Sequence, residues 1–364
     1  MKIKEITNYL ESIAPLHFQE SYDNSGLIVG DENTETSGVI ITLDCTEEVV
    51  NEAIEKKCNF IIAHHPVIFS GLKQLNGKNH MERTVIKAIK NDIAIYAIHT
   101  NLDNVKTGVS AKIADILGVK NYKILSPKKD LLRKLVTYCP LSNAEKVKSA
   151  LFHAGAGNIG NYDECSFSSI GEGTFRANED SNPHCGEIGK RHTEKEERIE
   201  VIFPKHLESS IISAMKLSHS YEEVSYQIYI LDNVYENIGS GVVGELVEEI
   251  DAIKFLEQLK TKMKTDCIRH TNIVKNRIKR VAICGGSGSF LLKDAISAEA
   301  DIFITADFKY HDFFDADNNI IIADVGHYES EQFTKDLIYD LLIKKFPKFA
   351  IRLSKVNTNP INYL

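Results

Sequence analysis

The sequence predicts an α/β protein in which two βαβ-type halves form one domain, with a ferredoxin-like α+β domain inserted between them. Three observations support this prediction. Short apolar runs alternate with helical stretches near the N-terminus, the same order returns near the C-terminus, and the composition changes in between. A chain of 364 residues with 43% hydrophobic residues can also fill two cores.

The first half opens with an amphipathic helix, because Ile3, Ile6, Leu10 and Ile13 recur at helical spacing. Apolar runs follow at residues 38–43, 59–63 and 93–98, with helical stretches at 47–57 and 81–91. Each run is continuous rather than alternating, as expected for strands covered on both faces of a parallel sheet.

The second half repeats this order, with apolar runs at residues 280–284, 301–305 and 319–323. We therefore predict that residues 1–126 and 233–364 form one domain and that residues 127–232 form the insert.

The insert shows its own alternation of strands and helices. The pattern predicts strands at 132–140, 198–204 and 225–231, and helices at 143–153 and 207–217. A glycine-rich polar stretch at 155–189, interpreted as turns, leads into a charged cluster at 190–198. This order is typical of a ferredoxin-like unit.

The bulk composition narrows the classes of partner and location. The formal net charge of −8, with basic residues interspersed among acidic ones, gives no electrostatic reason to expect nucleic acid. No apolar run approaches the length of a membrane span, and the first helix is unlike a signal peptide. The seven cysteines are scattered without a C-x-x-C pair, which favours reduced thiols. We predict a cytoplasmic protein without a membrane partner.

Potential metal ligands follow three of the predicted strands. His64 and His65 come directly after one strand, and His99 with Asp103 after the next. In the second half, a strand leads to His327 and Glu331. Because ligands gather at the carboxyl ends of parallel strands, we expect these side chains to meet at one site.

The spacing favours two divalent ions rather than one. Adjacent histidines diverge as they leave a strand, so His64 and His65 are placed to serve two ions. His327 and Glu331, four residues apart, share a helix face, so the Glu331 carboxylate could bridge the ions. Two divalent cations against Asp103 and Glu331 leave positive charge for a hydroxide and an anionic substrate. Imidazole and carboxylate ligands suit zinc, iron or manganese.

Other residues near these strand ends keep alternative roles. His99 could be a ligand, but we favour a general base or a hydrogen-bonding partner of a ligand. The turn at 284–289 (CGGSGS) could cradle phosphate or be a tight turn near the metals. Asp307 could orient a ligand or substrate, or cap a helix.

The insert also contains cysteines and histidines whose spacings match no established zinc motif, so we interpret them as surface residues. They are Cys165, Cys185, His153, His184, His192, His206 and His219.

Together these segments resemble the GTP cyclohydrolase 1 type 2 homologue family, also called the Ngg-interacting-factor-like proteins. The resemblance rests on residues 22–30 (YDNSGLIVG), 64–66 (HHP), 99–103 (HTNLD), 284–286 (CGG) and 326–331 (GHYESE). It implies a dinuclear site with Glu331 reaching both ions, and with the ligands His64, His65, Asp103, His327 and Glu331. It also implies a toroidal homohexamer and a PII/CutA-like insert of the kind found in longer bacterial members.

The resemblance points to metals more strongly than to a substrate. The leading hypothesis is a metal-dependent hydrolase acting on a nucleotide or another phosphate-bearing small molecule, with GTP cyclohydrolase-type activity as its most concrete form. The alternative is a non-catalytic metal-binding regulatory or scaffold protein whose insert senses a metabolite. A third possibility, a partner-binding protein in transcription, rests on the family's second name and would require salt-sensitive DNA binding.

Overall fold

The computed structural model describes residues 1–364, which form two compact units. The first unit comprises Met1–Pro127 and Glu236–Leu364, and the second comprises Lys128–Tyr235. The junctions lie one and three residues beyond the boundaries drawn from the sequence, at 126 and 232. None of the helices is both long and apolar enough to cross a membrane.

The first part of the chain contributes five helices and five strands to the first unit. The helices are α1 (Ile3–Ile13), α2 (Glu47–Glu55), α3 (His80–Lys90), α4 (Thr100–Asp103) and α5 (Val109–Leu117). The strands are β1 (Gly26–Val29), β2 (Val39–Thr42), β3 (Phe60–Ala63), β4 (Ala94–Ala97) and β5 (Val119–Pro127).

The second unit contains four strands and two helices. In chain order they are β6 (Leu132–Pro140), α6 (Ala144–His153), β7 (Ser166–Arg176), β8 (Arg191–Pro204), α7 (Glu208–Ser218) and β9 (Tyr226–Leu231).

The chain then returns to the first unit with six strands and four helices. The strands are β10 (Gly239–Asp251), β11 (Arg269–His270), β12 (Arg277–Ser287), β13 (Ile302–Ala306), β14 (Ile321–Asp324) and β15 (Ile351–Leu353). The helices are α8 (Ala252–Lys262), α9 (Leu292–Ser297), α10 (His327–Glu331) and α11 (Thr334–Lys345).

The first sheet has the strand order β1-β4-β3-β2-β15. Its strands β15, β2, β3 and β4 run parallel, and β1 pairs antiparallel with β4. Every residue of β2, β3 and β4 is buried. This explains why their sequences are uninterrupted apolar runs: both faces of these strands are covered.

The second sheet has the strand order β11-β14-β13-β12-β10-β5. Only β12, β13 and β14 run parallel, whereas β11, β10 and β5 pair antiparallel. Each half of the chain contributes one strand to the sheet of the other half. Strand β5, from the first half, joins the second sheet, and β15, from the second half, joins the first sheet. The halves are therefore interlocked rather than side by side.

The sheet of the second unit is antiparallel throughout, in the order β7-β8-β6-β9. This order, with one helix before β7 and another before β9, is that of a ferredoxin-like unit. The charged cluster at 190–198 lies mostly in β8, which forms a long hairpin with β7. Sequence patterning missed β7 because most of its side chains are exposed, which leaves no apolar alternation.

Candidate metal centre

Side chains from both sheets of the first unit converge where the parallel strands end. His64 and His65 follow β3, and their backbone N–H groups both donate to the Leu43 carbonyl. Asp103 is the last residue of α4, which follows β4. From the second sheet, β14 leads to α10, whose first and last residues are His327 and Glu331.

The buried Glu331 carboxylate lies at the centre of the site. Its Oε1 is 3.8 Å from His64 Nε2. Its Oε2 lies 2.9 Å from His65 Nε2 and 3.0 Å from His327 Nε2. Two three-residue groups therefore share this side chain: His64 and Asp103 complete one, and His65 and His327 complete the other.

Each of these histidines is oriented by a hydrogen bond on the opposite side of its ring. His64 Nδ1–H donates to the Ile98 carbonyl at 2.8 Å. His65 Nδ1 pairs with Asp44 Oδ1 at 2.7 Å, and His327 Nδ1 with Asp307 Oδ2 at 2.6 Å. Such support is typical of metal-binding histidines, because it fixes the tautomer and leaves Nε2 for the ion.

Two buried polar atoms show most directly that these side chains fit a cation. His64 Nε2 and Asp103 Oδ1 are 3.6 Å apart, and neither has a hydrogen-bonding partner. A buried polar atom without a partner costs roughly 1–3 kcal/mol, so native proteins rarely leave two side by side. A divalent ion between them would satisfy both, and the donor set therefore fits a metal.

The pKa shifts indicate that the carboxylates of the site favour a bound positive charge. Burial alone would lower the pKa of His65, but hydrogen bonds to Asp44 and Glu331 outweigh it and raise the pKa to about 10. Burial is likewise outweighed at His327, where Asp307 and Glu331 raise the pKa to about 11. Burial raises the pKa of Asp103, and the neighbouring Glu331 adds to that effect. The carboxylates thus attract positive charge, which protons or metal ions can supply.

His64 behaves differently from the other two histidines. Burial lowers its pKa, and the nearby Glu331 carboxylate only partly opposes this effect. A neutral imidazole is the form that binds metal ions.

His99 stands beside these groups with its own carboxylate partner. Its Nδ1 lies 2.7 Å from Asp23 Oδ1, and its ring centroid is 5.3 Å from that of His64. Its ligand atom is also close enough to those of His64 and His65 to form a third potential metal-binding group. The geometry leaves open all three roles expected from the sequence.

The glycine turn at 284–289 presses against Glu331. A Cβ on Gly286, whose φ is +63°, would lie 2.2 Å from Glu331 Oε1. The Gly285 and Gly286 amides donate to Ser110 and Ser330 hydroxyls, so these two N–H groups are not free to cradle phosphate. The geometry favours the interpretation of a tight turn near the metals.

Sequence reasoning missed two carboxylates that orient histidines. Asp44 could have been found, since it follows the buried strand β2 just as the histidines follow β3. Asp23 lies in the segment YDNSGLIVG, where no strand pattern marks it. Asp307, which was given two alternative roles, is the residue that holds His327.

The site opens into a cavity of about 710 Å³ within the first unit. His65, His99, Asp103, His327 and Glu331 line it, together with the aromatic side chains of Tyr22, Phe69 and Phe290. This volume is large enough for a small molecule of nucleotide size.

Known proteins resemble this chain along its whole length. The family model described as Duf34/NIF3 (NGG1p interacting factor 3) matches residues 1–360. A Bacillus subtilis protein named GTP cyclohydrolase 1 type 2 homolog is 37% identical over 367 residues, covering 99% of this chain and 98% of the relative. A Staphylococcus aureus (strain MSSA476) protein of the same name is 36% identical over 369 residues, with full coverage of both chains.

One solved structure shows the same fold. It is the crystal structure of a Bacillus cereus protein related to NIF3, with a TM-score of 0.82 and 37% sequence identity. The match covers 100% of this chain and 99% of that one.

Proposed function

Because this chain belongs to the Duf34/NIF3 family, we propose that it is a dinuclear metal-dependent hydrolase of a nucleotide-like or other phosphate-bearing small molecule. GTP cyclohydrolase-type chemistry is its most concrete form, since the curated relatives carry that name. The metal ligands would be His64, His65, Asp103, His327 and Glu331.

The position of Glu331 between two ligand groups carries the proposal. One ion would lie among His64, Asp103 and Glu331, and the other among His65, His327 and Glu331. Each Glu331 oxygen already faces one of these groups. Mixed imidazole and carboxylate ligands suit zinc, iron or manganese. They do not favour soft ions such as Cu(I), which prefer thiolate ligands.

Two bound ions would supply Lewis-acid chemistry and lower the pKa of a water molecule toward neutrality. Residues around the ions would transfer protons and position the substrate. His99, whose Nδ1 is engaged by Asp23, keeps Nε2 for accepting or donating a proton as a general acid or base. The aromatic walls formed by Tyr22, Phe69 and Phe290 offer faces on which a planar base can stack.

Metal content is the first test of this proposal. Elemental analysis of protein purified without chelator should find about two divalent ions per chain. The double variant His64→Ala with His327→Ala should lose most of this metal. The matched control, His80→Ala with His311→Ala, removes two exposed histidines and should retain it. A native chain that stays empty after reconstitution with zinc, iron or manganese contradicts the dinuclear site.

Turnover then separates an enzyme from a metal-binding scaffold. The metal-loaded chain is screened against GTP, other nucleotides and phosphate esters. His99→Gln should lower kcat by about 10²- to 10⁴-fold while metal content is retained, as expected for a general acid or base. Hydrolysis that is unaffected by this substitution removes His99 from the mechanism.

A cavity in the second unit favours a second candidate function. It has a volume of about 560 Å³ and is lined by Tyr138, Phe175, Arg198 and Tyr221 among others. A PII/CutA-like regulatory insert that senses a metabolite could use it, with the metal centre in a structural role. Full metal occupancy with no turnover on any tested substrate would favour this candidate.

We also propose that the chain assembles with itself, as a toroidal homohexamer. Phe167 and Tyr229 are 67% and 51% exposed. Phe167 pairs with Glu200 and Tyr229 with Lys134, which alternate along their strands with the core residues Val201 and Leu135. Both aromatic side chains therefore lie on the sheet face away from α6 and α7. Native mass spectrometry should show hexamers. The double variant Phe167→Asp with Tyr229→Asp should form assemblies of fewer subunits. The loop variant Tyr162→Asp, also at an exposed aromatic residue, is the control.

A further inference from the structure

The second unit contains a separate group of a thiol, an imidazole and a carboxylate. Cys185 lies in the loop between β7 and β8, and His192 and Glu194 lie on β8. Their ligand atoms all fall within 4.8 Å of one another. The sequence offered no established spacing for this group, because the loop, rather than a short motif, brings the thiol to the strand.

The local backbone explains the convergence. His192 and Glu194 are two residues apart on a strand, so their side chains project from the same face. Gly186, with a φ of +81°, folds the loop onto that face: a Cβ there would lie 2.9 Å from His192 Cβ. A larger residue would push the loop, and Cys185 with it, away from the histidine.

Existing contacts hold the three side chains in place. His192 Nε2 is 2.9 Å from Glu194 Oε2. The Cys185 thiol donates to the Tyr221 hydroxyl at 3.9 Å, and that hydroxyl donates to Glu196 at 2.9 Å. The Phe175 ring packs 5.4 Å from the His192 ring. Tyr221 therefore holds the Cys185 thiol, and Phe175 packs against the His192 ring.

We propose that Cys185, His192 and Glu194 bind one zinc ion, with a fourth coordination position left for water. Thiolate, imidazole and carboxylate are all zinc ligands, and three protein ligands with an open position form a common tetrahedral arrangement. A thiolate disfavours the hard ions Mg²⁺ and Ca²⁺. The His192 and Glu194 side chains are about one-third exposed, so an ion can enter from solvent.

This zinc site is independent of the dinuclear proposal. All three residues belong to the second unit, Lys128–Tyr235, whereas the ligands of the first site belong to the other unit. Either site can therefore fail its test without affecting the other.

Protection of the thiol tests the proposal on the full unmodified chain. Alkylation of each cysteine is followed by peptide mass spectrometry with and without added zinc. Zinc should slow the alkylation of Cys185 and leave that of Cys165 unchanged. Cys165 is a suitable internal control, since it is a partly exposed cysteine of the same unit outside the group. Equal rates at Cys185 with and without saturating zinc overturn the proposal.

Cobalt substitution gives a second readout that does not depend on reactivity. Co²⁺ bound to a thiolate shows a charge-transfer band in the near ultraviolet. Cys185→Ser should abolish this band, whereas Cys165→Ser should retain it. His192→Ala should weaken zinc binding by at least about tenfold, because loss of even a supporting partner of a ligand costs about 10- to 100-fold. A band that is identical in the two serine variants contradicts a zinc site at Cys185.

Discussion

Asp307 shows how a residue that touches no ion could control metal binding. It holds the His327 ring through Nδ1 and so aims Nε2 at Glu331. We expect Asp307→Asn to lower metal affinity by about 10- to 100-fold although all five proposed ligands remain. Titration of metal-free protein with zinc measures this effect. Asp315→Asn, at an exposed aspartate nearby, should bind zinc like the wild type.

Asp23 should make stability depend on pH. Burial alone would raise its pKa, but hydrogen bonds from His99 and Thr100 lower it well below its usual value. A depressed pKa in the folded state contributes stability above the unfolded value of about 3.9, and that contribution is lost as the pH falls below it.

We therefore expect Asp23→Asn to unfold at a lower temperature than the wild type at pH 7. The difference in unfolding temperature between the variant and the wild type should be smaller at about pH 3, where the aspartate of the unfolded chain is protonated. Thermal unfolding at both pH values measures this. An equal difference at the two pH values would mean that the charge of Asp23 contributes nothing to stability.

At the level of single residues, sequence reasoning succeeded where position on a strand decided the outcome. The side chains after β3 and β4 meet because these parallel strands end at the same edge of the first sheet, and those after β14 reach the site from the second sheet. Asp44 was overlooked although the same rule applies to β2. Cys185 and His192 were interpreted as separate surface residues, because only the fold of the loop at Gly186 brings them together.

Among the local elements, the glycine turn at the end of β12 allows a test of whether the position of Glu331 controls metal binding. Gly286→Ala places a methyl group against Glu331, whereas Gly118→Ala, at a φ of +84°, meets nothing within 4 Å. Both substitutions impose a left-handed backbone on alanine, at a cost of ~1–2 kcal/mol each. We expect Gly286→Ala to lose more stability than Gly118→Ala, because Glu331 must also shift, and to lose metal that Gly118→Ala retains; thermal unfolding and elemental analysis measure this. Full metal content in Gly286→Ala would show that Glu331 can move without loss of the site.

The strands of the first unit that were predicted from sequence are mainly those buried on both faces. Strands β2, β3, β13 and β14 are continuous apolar runs, which the sequence displays directly. Of the antiparallel strands, β6, the second half of β8, and β9 were predicted, whereas β7 and β10 were not. In β7 most residues face solvent, and in the exposed second half of β10 Leu246, Val247 and Ile250 are irregularly spaced among acidic residues, so neither strand shows a simple apolar period.

On the scale of the whole molecule, the insert should be removable. Pro127 and Gly239 are paired across β5 and β10, so the two ends of the first unit lie next to each other. We expect a chain in which a short Gly-Ser linker replaces Lys128–Tyr235 to fold and to bind metal at the dinuclear site. Circular dichroism and elemental analysis measure this. A chain that folds but binds no metal would show that the insert is needed for the site.

Because β15 belongs to the first sheet, that sheet can be completed only near the end of synthesis of the chain. The first sheet gains its edge strand only when residues 351–353 have left the ribosome, although β2, β3 and β4 emerge within the first 97 residues. Thr358, further along, donates to Asp44, which orients His65. A nascent chain therefore carries His64 and His65 long before His327, Glu331 and Thr358 are made, so the proposed ligand set is complete only at the last stage of synthesis.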